Sequence, residues 1–108
     1  MASPTATATP TPVAVVRVMS SLGESLGTWR RLRQLTAAET ADRAGVSVST
    51  LQRLEHGRGG TIESLVRVAR ALGVLDQLTA AMDPLSTDVG RLRATEVLPV
   101  RVRRKARP

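Results

Sequence analysis

The chain has 108 residues, a formal net charge of +7 and one aromatic residue, Trp29. A chain of this length holds one domain, and a core that must be built from Leu, Val, Ala and Met favours helices over a β-sandwich. With no cysteine and a single histidine, the sequence offers no disulfide, no thiolate metal site and no plausible metal cluster, so we expect no bound metal, no cofactor and no catalysis.

The positive charge is concentrated at the C-terminal end. Residues 91–108 hold seven Arg or Lys against one Glu, a net of +6, whereas residues 20–84 hold eight Arg against seven Asp or Glu, a net of +1. A basic tail of this kind suits phosphate groups or an acidic protein partner, and it also serves as a plain solubilising end. The sequence leaves these alternatives open.

The first 19 residues are predicted to be a disordered or partly ordered segment. Residues 1–12 are a mixture of Ala, Thr and Pro that buries too little apolar surface to fold. Residues 13–19, "VAVVRVM", are apolar and β-branched and suit either a short strand or a lead-in that packs on the first helix. Because the start is not basic and prolines interrupt it, we predict neither a signal peptide nor a membrane span, and we expect a cytoplasmic protein.

Residues 20–84 are predicted to form five short helices. The first is capped by Ser20 or Ser21, and Gly23 and Gly27 each weaken it by about 1 kcal/mol relative to Ala. Its apolar positions recur every three or four residues and should face the core. These positions are Leu22, Leu26, Trp29, Leu32 and Leu35.

Capping signals bound the next two helices. Thr36 to Glu39 is a capping box that begins the second helix, and Gly45 supplies its left-handed stop. Ser47 caps a third helix over residues 48–56, which Gly57 closes. Its inward positions are Leu51 and Leu54.

The fourth and fifth helices are predicted over residues 62–72 and 75–82. Thr61 caps the fourth and Gly73 ends it, while Pro84 stops the fifth. The core-facing positions are Ile62, Leu65, Val66, Val68, Ala69 and Leu72 in the fourth helix, and Leu75, Leu78 and Met82 in the fifth. Residues 85–108 are predicted to be a linker and basic tail available for a dimer or partner contact, with "TEVLPVRVRR" as a candidate short strand.

Two short helices that meet across "GVS" form a helix-turn-helix arrangement. The pattern "LT..E.A.RAGVS.STL.R.E.G" within residues 22–82 resembles the Cro/C1-type helix-turn-helix family of phage repressors and XRE-like bacterial regulators. The resemblance implies an all-α, lambda repressor-like domain of five helices, to which composition and charge add a disordered N-terminus and a basic C-terminal tail. It also implies a sequence-specific transcriptional repressor that acts as a homodimer and reads two half-sites of a double-stranded DNA operator about 34 Å apart.

The resemblance places the DNA contacts on the second and third helices. Arg53 is the strongest candidate base reader, because a guanidinium pairs bidentately with guanine. Val48 suits either a thymine methyl or a packing role at the helix start, and Arg43 suits either a phosphate or plain surface. Ser47 and Thr50 suit phosphate binding or helix capping. The full implied set is Thr36, Ala37, Arg43, Ser47, Val48, Ser49, Thr50, Arg53 and Arg58.

Arg30 and Glu55 occupy positions where the family often has a partly buried ion pair that ties the first helix to the end of the third. Loss of one partner of such a pair costs about 3 kcal/mol.

Three residues depart from the family pattern. Ala37 replaces a Gln that supports phosphate, Thr40 replaces a Leu, and Gln34 replaces a Gly that ends the first helix, and the last two suggest a less stable domain.

Within the family, "GRGGT", "LVRVARALG" and "LDQL" followed by a basic tail are similar to HipB-type antitoxins, which hold a HipA-like kinase toxin and repress their own operator. Two alternatives stay open. One is a stand-alone repressor whose tail adds phosphate contacts. The other is a helix-turn-helix adaptor that binds a protein and has lost DNA binding.

Overall fold

A computed structural model describes residues 9–98, and these hold six α-helices, one 3-10 turn and no strand. The helices are α1 (Val13–Leu32), α2 (Ala37–Ala44), α3 (Val48–Glu55), α4 (Ile62–Leu72), α5 (Leu75–Met82) and α6 (Asp88–Val97), with the 3-10 turn at Pro84–Ser86. The all-α prediction is confirmed. The described residues divide into two compact units, residues 9–75 and residues 76–98.

The first helix begins earlier than predicted. α1 starts at Val13 after the extended residue Pro12, so the proposed start at Ser20 or Ser21 is wrong, and residues 13–19 are helical rather than a strand. Pro12 fixes its own φ near the value a helix entry needs and accepts the N–H groups of Val15 and Val16 on its carbonyl oxygen. No side chain caps this helix end, which is why the capping signals of the sequence do not mark it.

The other helix starts follow the predicted caps. The side chains of Thr36, Ser47 and Thr61 each accept a hydrogen bond from the backbone N–H three residues later. In α2 the reciprocal bond is also present, because the backbone N–H of Thr36 donates to Glu39 Oε1 over 2.8 Å. The capping box is therefore confirmed, and these three caps fix where the short helices begin.

Four helices end in the same way, with a residue in the left-handed region after the last turn. The N–H group of this residue and that of the next residue donate to carbonyl oxygens of the last turn. Glycine occupies this position after α2, α3 and α4, at Gly45, Gly57 and Gly73. After α1 the position is held by Gln34, with φ of 58°. The predicted glycine stops are confirmed, and α1 ends without one.

The core of the first unit lies between α1, α2, α3 and α4. Every pair of these helices packs closely except α1 with α2. Its buried apolar side chains are Leu26, Ala41, Ala44, Leu51, Val68, Ala69, Leu72 and Val74. Thr40 is also fully buried, and its hydroxyl donates to the carbonyl oxygen of Thr36 over 3.0 Å. The core accommodates this threonine because the hydroxyl has a partner.

Several positions predicted to face the core are exposed. In α1, Leu22 and Leu32 retain 46% and 68% of their accessible surface, and Trp29 is half-buried. Ile62 is 81% exposed because it is the first residue of α4, and Val66 is also exposed. Met82, at the end of α5, is exposed as well. The apolar periodicity of these helices therefore overestimated how many of their apolar side chains the core covers.

The second unit corrects the prediction of a linker after Pro84. Asp83 caps the 3-10 turn by accepting the N–H of Leu85, and Thr87 caps α6 by accepting the N–H of Gly90. Thr95 to Val97 of the predicted strand are helical, and the chain becomes extended at Leu98, as expected for the residue before a proline. The rest of the predicted strand lies outside the described residues, as do residues 1–8 and the arginines of the tail beyond residue 98.

None of the helices among residues 9–98 combines the length and the apolar character that a membrane crossing needs.

Candidate nucleic-acid interface

The helix-turn-helix is built by α2, α3 and the three residues between them. Gly45 takes a left-handed conformation, with φ of 74°, and the N–H of Val46 donates to the carbonyl oxygen of Ala41 over 3.0 Å. Ser47 then caps α3. The sharp turn and the cap fix the direction of α3 relative to α2, which is the requirement for presenting a recognition helix.

One face of α3 is anchored in the core and the opposite face is open. Leu51 is fully buried and Leu54 half-buried, whereas Ser49 and Arg53 are exposed. Ser49 and Arg53 are four residues apart, so their side chains lie on one side of the helix, away from Leu51. This side includes the residues that the resemblance assigns to base reading.

Gln52 is a further candidate that the sequence reasoning treated only as solvated surface. It is exposed on α3 and lies three residues after Ser49, next to Arg53. Its amide carries both a donor and acceptors and is suited to pair with adenine. The spacing of three from Ser49 was the available signal.

Three hydroxyl groups cluster at the start of α3. The hydroxyl of Ser47 donates to Thr50 Oγ1 over 2.9 Å and accepts the backbone N–H of Thr50 over 3.0 Å. Ser47 Oγ also lies 3.2 Å from Ser49 Oγ. Ser47 thus has the capping role predicted as one alternative, and the side chain of Thr50 does not cap but accepts a hydrogen bond from Ser47. The hydroxyl groups of this cluster lie where a phosphate could contact them. Val48 begins the helix beside them and is 40% exposed.

The arginines of the interface are exposed. Arg53 Nη2 donates to the carbonyl oxygen of Arg58 over 3.4 Å, and the backbone N–H of Arg58 donates to the carbonyl oxygen of Arg53 over 2.8 Å. The guanidinium of Arg53 is therefore held near the end of α3 by a weak bond that a stronger acceptor can replace. Arg58 follows α3 directly, and Arg43 lies in the last turn of α2.

Thr36 and Ala37 begin α2. The hydroxyl of Thr36 is already occupied by the N–H of Glu39, and the Ala37 side chain offers no hydrogen bond. The backbone N–H and then the hydroxyl of Thr36 hold the pKa of Glu39 below its usual value of 4.5, so this carboxylate stays charged at neutral pH. A carboxylate at this helix start weakens the attraction for phosphate, which makes Thr36 and Ala37 the weakest members of the implied set.

Arg30 and Glu55 form an ion pair, in the arrangement that the resemblance implies. Arg30 Nε and Nη2 donate to the two carboxylate oxygens of Glu55 over 2.8 Å and 3.1 Å, and only 18% and 13% of the two side chains are exposed. Arg30 Nη1 also donates to the carbonyl oxygen of Leu35 over 3.2 Å. The hydrogen bond to Glu55 raises the pKa of Arg30, so the guanidinium stays charged. The two hydrogen bonds between the side chains tie α1 to the end of α3.

No group of three or more His, Asp or Glu side chains in residues 9–98 is arranged to hold a metal ion. The interface consists of hydroxyl groups, one amide and guanidinium groups on an exposed helix, which is the chemistry of groove recognition.

The fold and the exposed α3 define a helix-turn-helix protein. A family model described as a helix-turn-helix domain matches residues 21–82, more than half of the chain, and the chain belongs to this family, in the XRE-like class. Such proteins are DNA-binding regulators and are typically not enzymes. Neither the curated proteins nor the solved structures gave a significant match to the chain.

Proposed function

We propose that this protein is a sequence-specific transcriptional repressor that binds an operator through α3 and acts in the cytoplasm. The observation that carries the proposal is the exposed face of α3, where Arg53, Ser49 and Gln52 lie opposite the buried Leu51. A helix presented in this way fits the major groove, where each base pair shows a distinct set of donors and acceptors. Repression follows when the bound protein occludes a promoter.

Base reading in this protein depends strongly on Arg53. Gln52 offers an amide on the same face, but Arg53 supplies the only charge within α3 that is exposed, since Glu55 is paired with Arg30. The exposed arginines Arg43 and Arg58 flank α3 and are placed to contact phosphates on either side of it. Because residues 20–84 carry a net charge of only +1, non-specific attraction to DNA is modest and specific contacts contribute a larger share of the affinity.

The proposal is tested with a duplex that the wild-type chain enriches from a randomised library. Arg53→Ala is expected to lose about 1 to 3 kcal/mol of affinity for this duplex and little for random DNA, because a base contact is removed. Arg58→Ala is expected to lower the affinity for both duplexes equally, because a phosphate contact is removed. It should also reduce the slope of log affinity against log salt concentration by about 1. Fluorescence anisotropy across a salt series measures both effects.

Arg70→Ala is the matched control, because Arg70 is an exposed arginine in the last turn of α4 and outside the helix-turn-helix. Its affinity should stay within about twofold of wild type, since surface substitutions of this kind are close to neutral. Equal losses for Arg53→Ala on enriched and random duplexes would contradict base reading by Arg53. Absence of binding to any duplex would favour the adaptor alternative.

A finer proposal, that the chain is the antitoxin and autorepressor of a HipA-like kinase, rests on the resemblance of the segments after α3 to HipB-type antitoxins. To test it, the chain is co-expressed with the product of the adjacent reading frame, provided that this product has a kinase fold. One of the two proteins carries an affinity tag, and the pair is purified on that tag. Co-elution with loss of kinase toxicity supports the antitoxin. Separate elution supports a stand-alone repressor.

A further inference from the structure

An apolar cavity opens between α1, the end of α3, the loop of residues 57–60 and the start of α4. Its volume is about 160 Å³. The helices contribute six apolar side chains to its lining, which are Met19, Leu22, Leu26, Leu54, Ile62 and Leu65. Leu26 is buried, whereas Leu22 and Ile62 are 46% and 81% exposed. The cavity therefore reaches from the core of the first unit to the solvent.

The lining of the cavity is neutral. Among the described residues that line it there is no charged side chain, and the single polar side chain is that of Thr61. Its hydroxyl is already engaged, because it accepts the backbone N–H of Ser64 over 3.0 Å and donates to Ser64 Oγ over 3.0 Å. An ion placed here would lose its hydration without gaining a charged partner. The lining thus suits an apolar occupant.

Three glycines of "GRGG" form the wall of the cavity that the helices leave open, at Gly57, Gly59 and Gly60. Gly57 and Gly59 have φ of 70° and 102°, so the backbone requires glycine at both positions. Gly60 is not among the residues with positive φ, and its backbone accepts a side chain. A Cβ atom built on Gly60 would lie 2.8 Å from Leu54 Cδ2, which belongs to the lining. The glycine at position 60 therefore preserves the space of the cavity and not the course of the loop.

The volume of the cavity limits what it can hold. An apolar protein cavity of roughly 150 Å³ holds a molecule of the size of benzene. A helix of a partner protein is about 10 Å across with its side chains and does not fit. The exposed position of Leu22 and Ile62 means that a small molecule can enter without unfolding of the first unit.

We propose that this cavity is a binding site for a small neutral apolar molecule, of the size of one aromatic ring or one branched alkyl group. Such a ligand contacts Leu26 of α1, Leu54 of α3 and Leu65 of α4 at the same time, and these contacts stabilise the packing of the three helices. The site is separate from the candidate DNA-reading face, because Ser49, Gln52 and Arg53 do not line it.

The test is a titration of the isotope-labelled full chain, without DNA, with toluene up to its solubility limit, followed by amide proton–nitrogen correlation spectra. The amide signals of Gly57, Gly59 and Gly60 should shift and saturate, because these residues line the cavity. The signals of Gly45 and Gly73 are internal controls and should stay in place. Both glycines follow helices in the same left-handed conformation as Gly57 and lie outside the cavity.

Gly60→Leu and the milder Gly60→Ala add side-chain volume beside Leu54. The dissociation constant of toluene should rise by about tenfold or more in Gly60→Leu and by about threefold in Gly60→Ala, because the new side chain competes with the ligand for space. Gly27→Ala is the matched control, since Gly27 lies on α1 outside the cavity, and it should leave the constant within about twofold. Circular dichroism checks folding, and Gly60→Ala alone decides the comparison if Gly60→Leu does not fold.

Benzoate tests the chemical class of the ligand, because it has the ring of toluene with a carboxylate in place of the methyl group. It should give no saturable shift at the three glycines, since no cationic side chain lines the cavity. The proposal would be overturned by a wild-type chain without saturable toluene shifts, by unchanged toluene affinity in the Gly60 variants, or by benzoate that binds as tightly as toluene. None of these measurements contains DNA, so their outcome is independent of the test of DNA reading.

Discussion

At the end of α1, Gln34 takes a left-handed backbone conformation that costs a residue with a Cβ atom about 1 kcal/mol or more. It is the single non-glycine residue with positive φ among residues 9–98, and the three helices that end in the same motif use glycine. The neighbouring bonds, from Gln34 N–H to Arg31 and from Leu35 N–H to Arg30, hold it there. The family pattern has a glycine here, and the positive φ of Gln34 is the physical reason why its absence is costly.

Gln34→Gly should therefore raise the free energy of unfolding by roughly 1 kcal/mol, because glycine adopts this conformation without steric cost. Urea denaturation followed by circular dichroism measures the change. Gln34→Ala is the matched control and should give no such gain, since alanine keeps the Cβ atom. If Gln34→Ala stabilised the domain as much as Gln34→Gly, the strain would not lie in the backbone.

Thr40, another departure from the family pattern, is better accommodated than the sequence suggests. The sequence suggested that a threonine at this position weakens the core. Its hydroxyl donates to the carbonyl oxygen of Thr36, and none of the buried side-chain nitrogen or oxygen atoms in residues 9–98 lacks a partner. The cost of this polar residue is thus largely offset by its bond, which residue identity alone could not reveal.

Of the two glycines of α1, which the sequence marks only as weak helix formers, Gly23 sets how closely α3 approaches α1 and Gly27 does not. A Cβ atom built on Gly23 would lie 2.5 Å from the carbonyl oxygens of Leu54 and Glu55, so α3 ends directly on the backbone of α1. A Cβ atom on Gly27 would lie 3.4 Å from its nearest neighbours, which are side-chain atoms of Arg31 and Glu55. The two glycines therefore have different roles.

Gly23→Ala should lower the free energy of unfolding by about 1 to 3 kcal/mol, because the new methyl group meets backbone atoms that cannot turn aside. Gly27→Ala should be neutral or stabilising by up to about 1 kcal/mol, because alanine favours the helix and its methyl group fits. Thermal unfolding of both variants compares them directly. A stabilising Gly23→Ala would show that α1 and α3 are not in this close contact.

The sequence predicts a helix boundary well where a local residue pattern marks it, and poorly elsewhere. α2, α3 and α4 begin at capping side chains and end at glycines, and α5 ends just before Pro84. These local signals gave the bounds of α2, α3 and α4 and the end of α5 to within a residue. The start of α1 was missed because Pro12 opens the helix without a side-chain cap, and α6 was missed because the cap at Thr87 lies in a segment with only weak apolar periodicity. The exposed faces of Leu22 and Leu32 could not be predicted, since periodicity shows that a face is apolar and not what covers it.

At the scale of the whole molecule, the charge is divided between two regions. Residues 20–84 have a net charge of +1 and residues 91–108 a net charge of +6. In the proposed function, α3 therefore reads bases with little help from the charge of its own domain, and the basic end supplies general attraction to phosphate. The candidate site could be predicted because the helix-turn-helix pattern fixes which positions of α3 face outward. The exposure of Gln52 and the occupied hydroxyl of Thr36, which make Gln52 a candidate and Thr36 a weak one, are visible only in the folded chain.

In the proposed function, the exposed face of α3 reads a specific operator. The most direct measurement is selection of duplexes by the wild-type chain from a randomised library, followed by sequencing. We expect enrichment of two inverted half-sites whose centres are about 34 Å apart, or a multiple of one helical turn, and loss of the enrichment with Arg53→Ala. Recovery of the unselected distribution by the wild-type chain, or the same enriched site with Arg53→Ala, would contradict it.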